Sequence, residues 1–281
     1  MFRTMMAPSS AALGPYVWAY CMNTGRVDAV PLVIPLPPRP KQTITFSFAD
    51  RYGAIRPGSG QTVATPRVVV VGPQSCARPG LSVLGRIDNF SILFQPSGFH
   101  RLFGVPMTEL ADAAYDAHAV IGSRLPSVEQ ELGDAADFSE RIQVIERRLI
   151  ALLSRNERPD AVAAAANRLF VRHGGQRISS MASECGLSLR QFERRFVAQV
   201  GVPAKFYARV TRFNAALDQK LRHPDRAWSR IASDHHYHDQ MHLVHDCRAL
   251  TGESPTGLLT RLNAEPAFHP FFATADRPRH V

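Results

Sequence analysis

A series of charged side chains in the last third of the chain has the spacing of a helix face that could contact nucleic-acid bases. Arg190, Glu193, Arg194 and Val197 fall at positions i, i+3, i+4 and i+7, which share one side of an α-helix. An arginine guanidinium can bond O6 and N7 of guanine bidentately, and a glutamate can accept from the amino group of cytosine. The series therefore indicates a base-reading surface for a major groove; the alternative is an ordinary solvated helix face.

The same spacing returns about fifty residues later in Met241, Val244, His245 and Arg248. Two series in the same phase favour two probes for adjacent major grooves over a chance solvated face. The predicted base-reading residues of the two probes together are Arg190, Gln191, Glu193, Arg194, Gln240, Met241, Val244 and His245.

Basic residues are concentrated around the first series. The chain has 33 Lys and Arg against 24 Asp and Glu, a formal net charge of +9, and nine basic against three acidic residues lie between Gly175 and His223. Such an excess suits a polyanionic partner, although the dominance of arginine over lysine is also typical of a generally basic proteome. The predicted phosphate-contacting residues are Ser188, Lys205, Arg209, Arg212, Arg230, Asp239 and Arg248.

Each series requires a helix that is held by a preceding helix and a tight turn. In the first unit, apolar residues at helical spacing in 178–185 predict a short helix, Gly186 is suited to a left-handed turn, and Ser188 is suited to cap the next helix. That next helix buries a second apolar stripe in 189–200, opposite Arg190 and Arg194. The sequence therefore predicts a helix-turn-helix unit.

The second unit repeats this arrangement. A helix from Ala227 to about His235 precedes a cap at Asp239, and Leu243 and Cys247 begin the buried stripe of the next helix. A long helix from Pro203 to about residue 223 joins the two units. A rigid spacer matters because consecutive major grooves on one face of DNA lie ~34 Å apart.

The first half of the chain has a different periodicity. Short β-branched and aromatic runs at 30–34, 42–48, 67–71 and 90–94, separated by Pro and Gly clusters, predict an antiparallel sandwich or barrel. Helices are predicted over 106–121, 125–136 and 137–156, and 98–104 is expected to be a turn. The helix over 137–156 is amphipathic, and its apolar stripe could pack internally or form a dimer.

The predicted fold class is α+β, with a β-rich, jelly-roll-like N-terminal domain, linker helices, and an all-α domain with two helix-turn-helix motifs. The expected divisions are 1–106 for the β-rich sensor-like domain, 107–158 for the linker and dimerisation helices, 159–264 for the DNA-binding domain, and 265–281 for a tail. A polar linker is expected over 154–160.

Other chemistries have weaker support in the sequence. The four cysteines lie far apart, with neither a zinc-ligand spacing nor a disulfide framework. His238, His242 and His245 share a helix face that could hold zinc, but no convincing further ligands accompany them, so surface histidines are the preferred interpretation. We found no nucleophile, phosphate-binding or dinucleotide-binding motif. We therefore expect no metal, no cofactor and no catalytic residue, and without an apolar segment of membrane-spanning length we expect a cytoplasmic location.

Residues 159–264 resemble the DNA-binding domain of AraC/XylS-type transcriptional regulators. The matching positions are Ala182, Gly186, Ser188, Phe192, Arg194, Phe196, Gly201, Pro203, Tyr207, Arg212, Ile231, Ala232, Asp239, Leu243, Gly252 and Pro255. The N-terminal half resembles the uncharacterised sensor-type domain of one branch, through 94–106 and the helix start at 107–110. The resemblance implies a regulator that binds double-stranded DNA, with RNA polymerase, a small-molecule effector and a second copy of the chain as further candidate partners.

The second unit departs from the family pattern at its turn and in its core. His236 and Tyr237 stand where the family has Gly-Phe, Cys247 stands where a Phe is expected, and His245 stands at a position that is often Arg. These changes predict looser packing and weaker base reading, so the first unit should dominate sequence choice. An alternative interpretation is a ligand-binding sensor whose DNA-binding domain is degenerate and non-specific.

Overall fold

Two long antiparallel strands form the centre of the N-terminal sheet. In this computed structural model, which describes residues 3–56, 58–122, 126–153 and 160–263, strand β2 (Val17–Leu36) pairs with strand β7 (Arg78–Phe94). The other strands are β1 (Arg3–Pro8), β3 (Thr43–Ser47), β4 (Gly53–Ile55), β5 (Thr62–Ala64), β6 (Val68–Val71) and β8 (Ala114–Asp116). The order across the sheet is β1-β2-β7-β3-β6-β8, and β4 pairs with β5 and β7.

The apolar runs in the sequence are buried because each strand faces a core. Ile44, Phe46 and Phe90 are fully buried in the main cluster of this domain. The beginning of β2 is buried on both faces, with Tyr20 in that cluster and Trp18 on the opposite side. A strand covered on both faces is continuously apolar rather than alternating, which explains why the sequence pattern did not locate β2 fully.

The short segments after β7 differ from the sequence prediction. Residues 98–104, expected to be a turn, contain helix α1 (Gly98–Phe103), because Phe99, Leu102 and Phe103 bury a helical stripe. The helix predicted over 106–121 is wrong. A 3₁₀ turn (Met107–Glu109) leads to strand β8, which pairs with β6, and only α2 (Ala117–Ile121) is helical. Pairing with a free sheet edge overrides the local helical pattern there.

Two helices cover the inner face of the sheet. Helix α3 (Pro126–Asp134) packs against α4 (Phe138–Leu152), and Val144, Ile145 and Leu149 of α4 are buried in the main N-terminal cluster. The apolar stripe of α4, for which the sequence left internal packing and dimer formation open, therefore packs internally. Arg141 fixes the helix through Asp88, with an Nη1–Oδ1 distance of 2.5 Å.

The C-terminal part is helical throughout its described length. Its helices are α5 (Ala161–Val171), α6 (Ile178–Glu184), α7 (Leu189–Val200), α8 (Ala204–Arg222), α9 (Trp228–Asp234), α10 (Gln240–Thr251) and α11 (Pro255–Asn263). Helices α6 and α7 form the first predicted helix-turn-helix unit, α9 and α10 form the second, and α8 joins them. The predicted α+β class with two helix-turn-helix units is thus confirmed, whereas the predicted linker (apart from residue 160) and the tail lie outside the described residues.

The sheet and the first helix-turn-helix unit share one hydrophobic cluster. Trp18 of β2 meets Phe170 of α5 edge-on at a ring-centroid distance of 6.5 Å, and the cluster continues to Phe192 and Phe196 of α7. Lys41 lies above the Trp18 ring, with its Nζ 3.4 Å from the ring centroid. The two parts of the chain are therefore packed directly against each other.

Burial of Lys41 at this contact changes its titration. Burial is the largest influence and lowers the pKa of Lys41 to about 7; Asp218 of α8 opposes that effect, whereas Arg39 and Arg222 add to it. A lysine in this position senses the charge of both parts of the chain.

Candidate nucleic-acid interface

The first recognition helix, α7, begins at a reciprocal cap. The Ser188 hydroxyl accepts from the Gln191 backbone N–H (3.3 Å), and the Gln191 side-chain oxygen accepts from the Ser188 N–H (3.0 Å). Gly186 before the cap has a φ of +65°, a left-handed conformation that glycine adopts without strain. The cap fixes the direction in which the first turn of α7 projects. It also engages the side chain of Gln191, which the sequence assigned to base reading.

Two of the predicted base-reading residues of α7 are exposed on one face. Arg190 and Arg194 are solvent-exposed, whereas Phe192 and Phe196 are fully buried on the opposite side. The guanidinium groups can therefore reach a major groove without disturbing the core. Arg195, which the sequence analysis did not select, is exposed beside Arg194.

Glu193 occupies a different position from the one expected of a base reader. It is half-buried, and its Oε2 accepts a hydrogen bond from the backbone N–H of Ala204 at 3.2 Å. Ala204 is the first residue of α8, where an unpaired N–H group and the helix dipole favour a carboxylate. Glu193 thus caps the helix that joins the two units.

The second recognition helix, α10, also exposes its predicted base readers, but their side chains offer less chemical specificity. Asp239 caps the helix by accepting from the His242 N–H at 2.7 Å. Gln240, Met241 and His245 are exposed and Val244 is half-buried. An exposed methionine can contact a thymine methyl group, but it provides no hydrogen bond to a base edge.

The turn of the second unit carries backbone strain that the first unit avoids. His236 has a φ of +59°, in the left-handed region where non-glycine residues are disfavoured by roughly 1 kcal/mol. The residue stands fifty positions after Gly186, the glycine of the first turn. Tyr237 follows it and is buried, with the Arg212 guanidinium 4.9 Å from its ring centroid. Arg212 also donates to the His236 carbonyl at 3.3 Å and so supports the strained turn.

The predicted phosphate-contacting residues separate into exposed and internally engaged groups. Lys205, Arg230 and Arg248 are exposed, although Arg230 lies 3.8 Å from Asp234. Arg209 instead forms an ion pair with buried Asp246, with an Nε–Oδ1 distance of 2.7 Å that joins α8 to α10. Ser188, Asp239 and Arg212 are likewise engaged in the caps and in the second turn described above.

Cys247 fills its position despite its small volume. It is completely buried among Phe213, Leu217, Leu250 and Leu258, and the space beside it holds no water-sized volume. Any packing defect beside the thiol is therefore smaller than a water molecule, and looser packing of the second unit stays a prediction. Neighbouring side chains close around the thiol.

The histidines near the second unit have separate partners. His235 is buried and its Nε2 lies 2.9 Å from Gln219 Oε1; burial, and then His173, lower its pKa to about 4. His238 pairs with Asp239, and His242 meets the Tyr237 ring. No group of three metal-ligating side chains occurs among the described residues.

No helix in the described ranges is long and apolar enough to cross a membrane.

Residues 181–261 match the family model described as a helix-turn-helix domain. This part of the chain is a helix-turn-helix domain. The match covers both recognition helices together with α8 and α11. It agrees with the caps and exposed faces of α7 and α10, so the C-terminal part of the protein is a DNA-binding domain. The sequence of the chain matches no curated relative.

Several solved structures are similar to the chain at low sequence identity. ToxT from Vibrio cholerae O395 is 9% identical with a TM-score of 0.44, over 94% of this chain and 99% of that one. Unsaturated fatty acid bound wild-type ToxT from Vibrio cholerae strain SCE256 is 10% identical with a TM-score of 0.44, over 94% and 96%. The AraC-like transcriptional activator CuxR is 10% identical with a TM-score of 0.26, over 73% and 84%.

Proposed function

We propose that the protein is a sequence-specific DNA-binding transcriptional regulator that reads two adjacent segments of duplex DNA. The observation that carries the proposal is the pair of capped recognition helices, α7 and α10, which expose residues at the same helical phase and are joined by α8. A bound operator would receive the first helix in one major groove and the second in the next.

The two helices would contribute unequally to specificity. Arg190 and Arg194 can each make bidentate bonds to guanine, whereas Met241, Val244 and His245 offer fewer directional contacts. Exposed Lys205, Arg230 and Arg248 would contact phosphates and fix the register. We therefore assign most of the sequence choice to α7, and we assign Glu193 to positioning α8.

The N-terminal domain would control this binding through a small molecule. It contains a cavity of about 180 Å³ between strands of the sheet, and the exposed surface of its wall is mostly apolar. The cavity and the DNA-binding helices lie in one packed body, so occupation of the cavity could alter the relative position of α7 and α10. We further propose that the protein acts in the cytoplasm, contacts RNA polymerase, forms a dimer and catalyses no reaction.

Selection of bound DNA from a random pool tests the proposal. We expect an enriched motif with guanines in the segment read by α7. Arg194→Ala should weaken binding to that motif by ~1–3 kcal/mol and relax the base preference at one position. Lys205→Ala, the matched control, should weaken binding to all sequences alike and reduce the salt dependence by about one counterion.

A second candidate function is a ligand-binding sensor with a degenerate, non-specific DNA-binding domain. The strained His236 and the missing aromatic residue at Cys247 favour it, although Cys247 is well packed. Selection that enriches no motif, together with an Arg194→Ala variant of unchanged affinity, would support this candidate and contradict the proposed function.

A further inference from the structure

An arginine without an anionic partner lines the cavity of the N-terminal domain. Arg39 is half-buried at the wall of the cavity and makes no side-chain hydrogen bond or ion pair with any residue in the described ranges; partial loss of contact with water lowers its pKa to about 10. A charge that is partly removed from water and has no counter-charge favours an anion beside it, so its place in the cavity wall calls for a reason. The simplest reason is an anion that enters the cavity.

Further polar groups lie unsatisfied in the same wall. The Gln74 side-chain oxygen is buried without a hydrogen bond in the described part of the chain, and the Tyr52 hydroxyl and the Asn89 side chain, which lie beside each other, have no further partner there. Buried polar groups in folded proteins are nearly always paired, and unpaired ones that converge on a cavity indicate a ligand. Arg39, Tyr52 and Asn89 all carry donors that an oxyanion can accept from.

The remaining lining sets the size and character of the ligand. The exposed wall is mostly apolar, with Ile34, Leu36, Val69, Val71 and Leu81 beside the smaller hydroxyl residues Thr43, Thr45, Ser47 and Thr65. A dry engineered cavity of ~150 Å³ accommodates benzene, so about 180 Å³ accommodates a six-carbon ring or short chain with one small polar group. An inorganic anion would leave the aliphatic part empty, and a neutral hydrocarbon would leave Arg39 unpaired.

We propose that this cavity binds a small aliphatic monocarboxylate, whose carboxylate pairs with Arg39 and whose hydrocarbon part fills the aliphatic lining. Binding of the acid stands on the cavity alone; its consequence for DNA rests on the proposed function.

The contacts around the cavity give that consequence a physical route. Two loops carry polar lining residues: residues 37–42, between β2 and β3, with Arg39, and residues 72–77, between β6 and β7, with Gln74. The Gln74 N–H donates to the Arg39 carbonyl at 2.9 Å, so the two loops are joined.

Both loops also hold the DNA-binding helices. Asn214 of α8 donates to the Pro38 carbonyl at 2.9 Å, and Gln42 donates to the carbonyl of Val200 at the end of α7 at 3.4 Å. The Ala77 N–H donates to the carbonyl of Leu250 near the end of α10 at 3.1 Å. A carboxylate that repositions Arg39 therefore acts on loops tied to both recognition helices.

Calorimetric titration of the full chain tests the site. The probes are cyclohexanecarboxylate, the neutral cyclohexanecarboxamide of similar shape, and inorganic phosphate. We expect the acid to bind, and the amide and phosphate to bind at least ten-fold more weakly. Arg39→Met should weaken the acid about 10- to 100-fold, as loss of a charge-assisted hydrogen bond does. Arg86→Met, at an exposed arginine of β7, is the matched control and should leave binding unchanged.

A second variant keeps the test valid if Arg39→Met does not fold. Ala54→Leu reduces the cavity from its aliphatic side and should weaken the acid while leaving the thermal unfolding midpoint within a few degrees. Equal binding of acid and amide, equal binding of phosphate, or acid binding that survives both variants would overturn the proposed ligand class.

Titration of the selected DNA with and without the acid tests the route. We expect a change in DNA affinity of about 5- to 100-fold, absent in Arg39→Met. Acid binding without any change in DNA affinity would overturn the coupling. A chain that binds its DNA motif but no carboxylate contradicts only this inference, whereas a chain that binds the acid and no DNA motif contradicts the proposed function.

Discussion

The ion pair between Arg209 and Asp246 supports the second helix-turn-helix unit rather than DNA binding. Asp246 is almost fully buried, with 8% of its side chain exposed, while 34% of the Arg209 side chain is exposed. The pair is a charged link between α8 and α10, so we expect its removal to loosen the packing of α10 more than it weakens the contact of this unit with phosphate.

The size of the effect follows from the burial of each partner. Removing one partner of a fully buried pair costs about 3–5 kcal/mol, because the other charge is left unpaired. Since a third of Arg209 reaches solvent, water can partly replace it beside Asp246. We therefore expect Arg209→Met to lower the free energy of unfolding by about 2 kcal/mol. Arg209→Met with Asp246→Leu should recover most of that loss, because no buried charge remains.

Urea unfolding and the salt dependence of DNA affinity together decide between the two roles. Arg209→Met should shift the urea midpoint and leave the slope of log affinity against log salt nearly unchanged. Arg248→Met, at an exposed arginine of α10, is the control and should do the reverse, with a slope reduced by about 0.9. An Arg209→Met variant of full stability with a reduced salt slope would refute the structural role.

Three further changes test other contacts. Lys41 has a lower pKa folded, about 7, than unfolded, so the unfolded chain holds more protons above pH 7 and stability should rise from pH 7 toward 10; Lys41→Met should flatten that rise in urea midpoints measured across the range. Cys247→Phe should lower stability by about 1–3 kcal/mol through overpacking, and a stabilised variant in the same urea measurement would show that spare volume exists. His236→Gly should raise the thermal midpoint by relieving about 1 kcal/mol of left-handed strain, and an unchanged or lower midpoint would count against that strain.

The helix-turn-helix units could be predicted because their signals are local. The apolar spacing, Gly186, Ser188 and Asp239 all act within a few residues of the helices that they define. Arg190 and Arg194 were identified for the same reason: exposure opposite a buried stripe follows from helical periodicity.

The parts that the sequence did not reveal depend on distant partners. By spacing alone Glu193 is one more charge on the reading face, and only its bond to Ala204, eleven residues away, distinguishes it. Strand β8 exists because β6 offers it an edge, and the double burial of Trp18 requires a helix that lies some 150 residues later. No periodicity within a window of 11–18 residues contains such information.

The cluster that Trp18 shares with α5 has a consequence for how this regulator can be divided. A fragment that starts at the beginning of α5 would expose Phe170 and the neighbouring apolar face to water, since the sheet is what covers them. The helical half is therefore unlike a detachable module that can be fused to any other sensor. A chimaeric regulator would have to retain the outer face of β2 together with the DNA-binding helices.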